Sequence, residues 1–542
     1  MKTPLEVLNS FRAHDYTLHD AFMSRAEAGP ERPFLTCRDR QWSWGAFGEK
    51  SDRIARALMA KGIRKGDRVA LCARNSDYHA LLLFALARIG AVIVPVNPEF
   101  GPNEVHYILN HAEVSAVAAS ADTLKTVQEA SAKLSHRHWI ALLDEAHEAL
   151  PSLDALSNAP EAARGDFPAV SADDTCVIIY TSGTTGFPKG VMHSQRVFVT
   201  TGEVSVERLN LQPDDRAMIV LPMFHINALF YSLSGVLASG SQALILPAFS
   251  ASTFWQSAAD YGATWVKIIE AIGTILKERP RSEFRPDHKI RIIYGPRQHV
   301  IPPFRNEFKI ADITGGFGMS EIPGVTVIPL SGPEKQATMG KIGRHPDPNR
   351  EWAQCRIVDD AGNDLPDGET GEFWVKTPNI MQGYFRDPEM TKASFSGDWF
   401  MTGDLVRRDA DGYYYFVSRK KDIIRRRGEN IAGAEIDRII AAHPAVHEVA
   451  AIGVPSELGE EEILVAIVLK PGHTLTPAEV RDWCRERLAA LKIPRFVVFV
   501  DEIPHTATHK IAKAMLKKDE TLVGRADDAQ AGKAKTAAKP GE

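Results

Sequence analysis

The apolar positions of the chain fall into short blocks that switch between two periods. Asp67-Arg68-Val69-Ala70-Leu71-Cys72 and Ala91-Val92-Ile93-Val94-Pro95-Val96 are nearly continuous apolar runs of strand length. Runs without polar alternation belong to strands covered on both faces. Between them, residues 78–89 carry helical spacing and stop at Gly90. Strand–helix–strand at this spacing predicts a parallel sheet with right-handed crossovers. Upstream lie an amphipathic helix at 17–30, short strands at Phe34-Leu35-Thr36-Cys37 and Gln41-Trp42-Ser43-Trp44, and a helix over 44–61. The alternation continues through strands at 115–118, 139–143 and 175–180. Further strands at 217–221, 242–246, 264–269 and 289–294, alternating with helices, predict a second doubly wound unit.

From Gly340 the texture changes. Short strands separated by Asp/Gly turns, such as Gly371-Glu372-Phe373-Trp374-Val375-Lys376 and Tyr413-Tyr414-Tyr415-Phe416-Val417, predict a small β-barrel over about 340–420. Residues 421–520 read as a compact α+β unit, with helices at 434–442 and 477–490 and strands at 446–453, 462–469 and 495–500. The tail, 521–542, is rich in Ala, Lys, Asp and Gly and is expected to be disordered. The fold class is therefore α/β. A large N-terminal domain (1–420) holds two doubly wound α/β subdomains plus the small β-barrel, and a small α+β C-terminal domain follows.

Composition narrows the function. A chain of 542 residues supports several cores, and 44% hydrophobic with 25% charged residues is the balance of a globular enzyme. A net charge of -5 supplies no global basic field, so neither nucleic acid nor a membrane surface is indicated as partner. The five cysteines, Cys37, Cys72, Cys176, Cys355 and Cys484, are scattered and show neither a disulfide framework nor metal-ligand spacing. The N-terminus leads into no apolar signal core, and the apolar stretch at 80–94 is interrupted by Arg88 and too short to span a bilayer. The expected location is the cytoplasm.

Five segments carry candidate chemistry. The first is Tyr180-Thr181-Ser182-Gly183-Thr184-Thr185-Gly186-Phe187-Pro188-Lys189-Gly190. Glycines allow close backbone approach, hydroxyls and N–H groups wrap phosphate oxygens, and Lys189 adds a point charge. It is not a Walker A sequence, since Pro188 precedes the lysine and Gly190 follows it. A helix is expected next, over 191–204. The second is Gly316-Phe317-Gly318-Met319-Ser320-Glu321, after a strand-like segment at 310–313. That places it at the carboxyl ends of the strands, where a carboxylate must hold a cation or a basic group to avoid repelling phosphate. The third, Thr402-Gly403-Asp404, offers an aspartate suited to a ribose diol, although alone it is an ordinary turn. The fourth, Ser418 to Ile431, packs six cations into the nine positions from Arg419 to Arg427. Arg425, Arg426 and Arg427 either attract phosphates or form solvated surface. The fifth, Ile503-Pro504-His505-Thr506-Ala507-Thr508-His509-Lys510-Ile511, ends in a lysine able to relieve charge repulsion between a carboxylate and a polyphosphate.

In order and spacing these segments resemble the signature motifs of the adenylate-forming superfamily: acyl-CoA synthetases, peptide-synthetase adenylation domains and luciferases. The resemblance covers roughly residues 15–520. It implies an ATP-dependent carboxylate–CoA ligase working through an acyl-adenylate, with ATP, Mg²⁺ and coenzyme A as cofactors and substrates. By that resemblance Thr181, Ser182, Gly183, Thr184, Thr185, Gly186 and Lys189 hold ATP phosphates, and Thr184 and Glu321 hold the metal. Gly316, Phe317 and Gly318 lie beside adenine and Ser320 meets the α-phosphate. Asp404 and Arg419 take the ribose. Lys421 is the hinge of a mobile C-terminal domain, and Gly428 and Glu429 line the approach of the CoA thiol. Lys510 bridges carboxylate and α-phosphate, so that Lys510, Glu321, Lys189 and Thr184 form the catalytic set. His225 borders the acyl pocket.

Within the superfamily, residues 428–515 look most like crotonobetaine/carnitine-type and other small-to-medium acyl-CoA ligases. Arg297, His299 and Glu270 lie on segments bordering the acyl pocket, which implies an acid with a second polar group. Ser320 stands in place of Thr, His509 in place of Gly and Gly433 in place of Pro. Two alternatives stay open: an adenylating enzyme that loads a carrier protein, and a nucleotide or acyl-CoA sensor with impaired chemistry. The oligomeric state is left open, a homodimer among the options.

Overall fold

The first predicted series closes into one seven-stranded sheet. Its order is Trp139–Leu142, Ala116–Ala119, Arg68–Cys72, Val92–Val96, Thr175–Thr181, Lys189–Ser194 and Gly383–Tyr384. The first five run parallel, joined by crossovers such as the helix Asp77–Arg88. Successive residues enter opposite cores. Val69, Leu71, Ile93, Val177 and Ile179 join one apolar cluster, while Ala70, Cys72, Val92, Val94 and Ile178 join another. Burial on both faces is why these strands lack polar alternation. The structure, a computed structural model, describes residues 1–163, 165–181, 188–295, 300–331, 335–426, 429–456, 460–505 and 511–530.

The second series forms another seven-stranded sheet, in the order Asp312–Thr314, Ile292–Tyr294, Trp265–Lys267, Arg216–Ile219, Gln242–Ile245, Pro33–Cys37 and Arg40–Ser43. All neighbours are parallel except the last pair, a hairpin that closes one edge. The earliest strands of the chain thus complete the later sheet. The helix Trp44–Ala60 starts where the Ser43 hydroxyl accepts the Ala46 N–H.

One expected helix begins later than its sequence suggests. Residues 191–204 read as helix, but Lys189–Ser194 is a strand antiparallel to Thr175–Thr181, with Thr181 opposite Lys189. The helix is Gln195–Leu209, started by Ser194, whose hydroxyl accepts the Val197 N–H. Lys189 is therefore followed by a strand, and a helix dipole does not support it. Sheet pairing across Ile178, Ile179, Met192 and Val191 overrides local helix propensity.

Contacts divide the molecule into two units: Met1–Cys355 with Val375–Phe400, and Arg356–Trp374 with Met401–Glu542. In the second, the strand ending at Arg408 pairs antiparallel with Tyr414–Arg419, and Ile423–Arg426 pairs with Glu429–Ala432. A four-stranded sheet then orders Val446–Pro455, Glu461–Leu469, Phe496–Phe499 and Asp527–Asp528. Val449, Ala451, Val465 and Val497 pack with Ile436, Ile440 and Val480 of the helices Gly433–Ala441 and Pro477–Arg485. Ala450, Ile452, Leu464 and Val498 point the other way, toward Ile503, Leu516 and Leu522.

Residues 521–530, expected to be disordered with the rest of the tail, are folded. Thr521–Arg525 is a helix burying Leu522, and Asp527–Asp528 pairs with Phe496 and Val497. Arg481 holds Asp527 at 2.6 Å and Arg495 holds Asp528 at 2.9 Å. Two ion pairs and the single buried Leu522 anchor this segment, too few apolar positions to show a periodic pattern. Among the described residues no helix is long and apolar enough to cross a membrane, and Cys37, Cys72, Cys176 and Cys484 form no disulfide.

Candidate active site

The parallel strands of the second sheet point their carboxyl ends at one rim, the place where open α/β sheets bind ligands. Asp312–Thr314 ends there and delivers the segment from Gly315 to Glu321. Two of its glycines are required by space. A methyl group at Gly316 would lie 2.1 Å from the Thr326 carbonyl oxygen, and one at Gly318 would lie 2.3 Å from the Tyr231 hydroxyl. The Phe317 N–H donates to Thr326 Oγ1 at 2.9 Å, and the Phe317 ring is mostly buried.

Ser320 and Glu321 are fixed by the other sheet of the same unit. His193, on the strand Lys189–Ser194, donates through Nε2 to the Ser320 carbonyl at 2.6 Å. Burial pushes its pKa down to about 4, so the ring is neutral and its Nε2 proton is committed to Ser320. The Met381 N–H donates to the Glu321 carbonyl at 2.8 Å. The Glu321 side chain, only 7% exposed, accepts a hydrogen bond from the Tyr384 hydroxyl at 2.8 Å. Tyr384 stays protonated, because burial and the neighbouring Glu321 push its pKa upward. The Lys189 ammonium lies 4.7 Å from the centroid of the Tyr384 ring. One tyrosine thus touches both expected catalytic groups, holding Glu321 by its hydroxyl and Lys189 over its ring. The arrangement suits a divalent cation: a buried carboxylate is oriented through one oxygen, and a lysine stands near enough to share a polyphosphate.

Thr181 ends its strand opposite Lys189. His225 packs against Phe224, ring centroids 4.4 Å apart, just ahead of a π-helical turn at Asn227–Leu233. Glu270 opens the helix Glu270–Glu278. Ser182, Gly183, Thr184, Thr185 and Gly186 lie outside the described residues, as do Arg297, His299, Gly428, His509 and Lys510.

In the second unit, Asp404 stands opposite Arg419 across the antiparallel pair. Arg419 Nε lies 2.7 Å from Asp404 Oδ1, and the carboxylate is fully buried while the guanidinium is partly exposed. Gly403 before it has φ of 69°, a conformation that favours glycine. Lys421 is exposed on a single 3₁₀ turn, Lys420–Asp422. Glu429 starts a strand and is exposed. The basic run is split by function. Arg426 is buried, with Nε 2.7 Å from Glu462, and donates to the Leu491 and Ile493 carbonyls, so it is structural.

Sequence reasoning missed Tyr384 and His193, which lie outside the motifs, and Lys267. The last had a visible signal: a single charge inside the apolar run Trp265-Val266-Lys267-Ile268-Ile269.

A buried carboxylate and a lysine thus meet on one tyrosine, at the rim of a doubly wound sheet beside the Gly316–Gly318 backbone. The AMP-binding enzyme model matches residues 22–385, and the AMP-binding enzyme C-terminal domain model matches residues 435–510. The chain belongs to the AMP-binding enzyme family. It is 31% identical over 508 residues to the sulfoacetate–CoA ligase of Cupriavidus necator, covering 92% of this chain and 97% of that one. It is 32% identical over 498 residues to the crotonobetaine/carnitine–CoA ligase of Salmonella typhimurium, covering 88% and 93%. The crystal structure of ATP-bound MatB from Rhodopseudomonas palustris superposes with a TM-score of 0.82 at 27% identity, covering 92% and 98%. The protein is an ATP-dependent, AMP-forming acid–thiol ligase that makes acyl-CoA through an acyl-adenylate.

Proposed function

We propose that the protein activates a small carboxylic acid, with Glu321, Lys189 and Lys510 as its charge-handling residues. The observation that carries this reading is the buried Glu321 carboxylate, oriented by Tyr384 at 2.8 Å beside Lys189. Glu321, with Thr184, would hold Mg²⁺, which when bound neutralises phosphate charge. Lys189 offsets the negative charge that builds on the departing pyrophosphate oxygens. Lys510 draws the acid's carboxylate and the α-phosphate together against their mutual repulsion. Asp404 accepts hydrogen bonds from the ribose hydroxyls, with Arg419 beside it. Glycine at 316 and 318 keeps the backbone low enough for the nucleotide to lie against it. Lys421 absorbs the backbone rotation that brings Gly428 and Glu429 toward the adenylate, and the CoA thiol then displaces AMP. Coenzyme A as acceptor is supported by full-length relatives that are CoA ligases, which retires the carrier-protein alternative.

The test is pyrophosphate release from ATP and Mg²⁺ over a panel of acids, with and without CoA, in wild type and Lys510→Ala. The variant should lose acyl-AMP formation and keep thioester formation from supplied acyl-AMP. Equal loss of both half-reactions would refute the role given to Lys510.

A further inference from the structure

Lys267 ends the strand Trp265–Lys267 at the same rim, opposite Tyr294 of the neighbouring strand. It is 3% exposed. Its ammonium lies 4.9 Å from the ring centroid of Tyr231, 4.9 Å from that of Tyr294 and 6.0 Å from that of Trp265. Tyr231 comes from the π-helical turn Asn227–Leu233, a type of distortion that recurs at functional sites. A second cation acts on Lys267. Arg208, also buried, donates to the Gly324 carbonyl at 2.6 Å and raises the positive potential around Lys267. Among the described residues no carboxylate pairs with either cation.

A buried ammonium without a counter-charge is costly, and three ring faces offset only part of that cost. Burial and Arg208 accordingly drive the Lys267 pKa well below the ordinary lysine range. Structural lysines in cores are normally paired. This one sits at the ligand rim, and its cage touches the nucleotide segment: Tyr231 abuts Gly318 and Tyr294 abuts Gly316.

We propose that Lys267 anchors a second anionic group of the acid substrate, a carboxylate or sulfonate on a short chain beyond the carboxyl that becomes the thioester. This rests on the ligase reading and narrows its substrate class. A short chain follows because the rings that hold Lys267 are the ones that touch Gly316 and Gly318. The same geometry disfavours a cationic tail of the betaine type. An aromatic cage is a receptor for such groups, but here the lysine's own ammonium fills it and Arg208 repels another cation. Binding the anion supplies the counter-charge that Lys267 lacks among the described residues, and so favours its protonated form.

The experiment measures kcat/KM by pyrophosphate release for butyrate, malonate, succinate, sulfoacetate and carnitine, with ATP, Mg²⁺ and CoA. Wild type should prefer one of the dianionic acids. In Lys267→Met the preference for that acid over butyrate should fall by about 50-fold, chiefly through KM, as expected for loss of a charge-assisted contact. Lys267→Arg should retain more of the preference than the methionine variant. A thermal-shift titration with the preferred acid, read without turnover, should stabilise wild type and not Lys267→Met. Wild type that works best with butyrate or carnitine, or an unchanged preference in a folded Lys267→Met, overturns the assignment and leaves the ligase reading standing. No release with any acid overturns the ligase reading and the subsite with it.

Discussion

The Tyr384 hydroxyl donates to Glu321 Oε1 at 2.8 Å while the Tyr384 ring carries the Lys189 ammonium at 4.7 Å. Removing only the hydroxyl separates these two jobs. Tyr384→Phe keeps the ring under Lys189 and leaves a buried Glu321 oxygen without its donor. The expected cost is about 1–2 kcal/mol of stability. The carboxylate also loses its orientation, so pyrophosphate release should fall by about tenfold and require more Mg²⁺. A Mg²⁺ titration of the variant checks this. An unchanged Mg²⁺ requirement would show that Tyr384 does not position Glu321.

Asp404 and Arg419 form an asymmetric pair, one carboxylate wholly buried and one guanidinium partly in water. Asp404→Asn keeps the shape and removes the charge. If Asp404 takes the ribose as proposed, this should raise KM for ATP by about tenfold or more, with little effect on KM for the acid. Arg419→Ala does the harsher thing and takes the guanidinium away from a buried carboxylate. The expected destabilisation is about 2 kcal/mol, below that of a fully buried pair because Arg419 is already partly solvated. Chemical denaturation of the two variants separates the effects, and equal stability in both would refute the asymmetry.

The parallel strands were legible because burial on both faces leaves an apolar run that needs no tertiary information to read, as at Val92–Val96. Gly316 and Gly318 stood out only through the family resemblance, and it takes the folded chain to show that the Thr326 carbonyl and the Tyr231 hydroxyl forbid a side chain there. The helix expected after Lys189 failed because sheet pairing is non-local: Val191 is matched by Ile179, a partner its own sequence neighbours do not reveal. Tyr384 and His193 were invisible for a related reason. Each acts through a contact to a residue more than sixty positions away, and neither lies in a motif. Lys267 was visible as a charge inside a strand, but only its burial with no carboxylate partner among the described residues gives it meaning, and that is a property of the fold.

Lys421 lies exposed on a single turn at the junction between Tyr414–Arg419 and Ile423–Arg426. If it is the pivot between half-reactions, fixing its φ should affect them unequally. Lys421→Pro should leave acyl-AMP formation within about threefold of wild type and slow thioester formation by about 100-fold. Lys421→Ala, which keeps backbone freedom, should slow neither step comparably. The two half-reactions are measured separately, by pyrophosphate release without CoA and by thioester formation from supplied acyl-AMP. Equal loss in both assays for the proline variant would place the pivot elsewhere.

His193 links the site to acid stability. Its pKa is about 4 in the folded protein, lowered by burial from 6.5. The unfolded chain therefore binds a proton between these values that the folded chain refuses. Stability rises with pH wherever the unfolded state binds more protons, so it falls as pH drops from about 6.5 toward 4. His193 contributes on the order of 3 kcal/mol to that loss. His14, also lowered to about 4, and His79, lowered to about 3, act in the same direction. His193→Gln keeps a side-chain donor for the Ser320 carbonyl and removes the titration. Its stability between pH 6.5 and 4.5 should fall less steeply than wild type, by about 1.4 kcal/mol per pH unit at the steepest point. Denaturant melts at a series of pH values give both slopes. Parallel slopes would mean that His193 is already protonated in the folded protein, and that its Nδ1 has found a partner at the site.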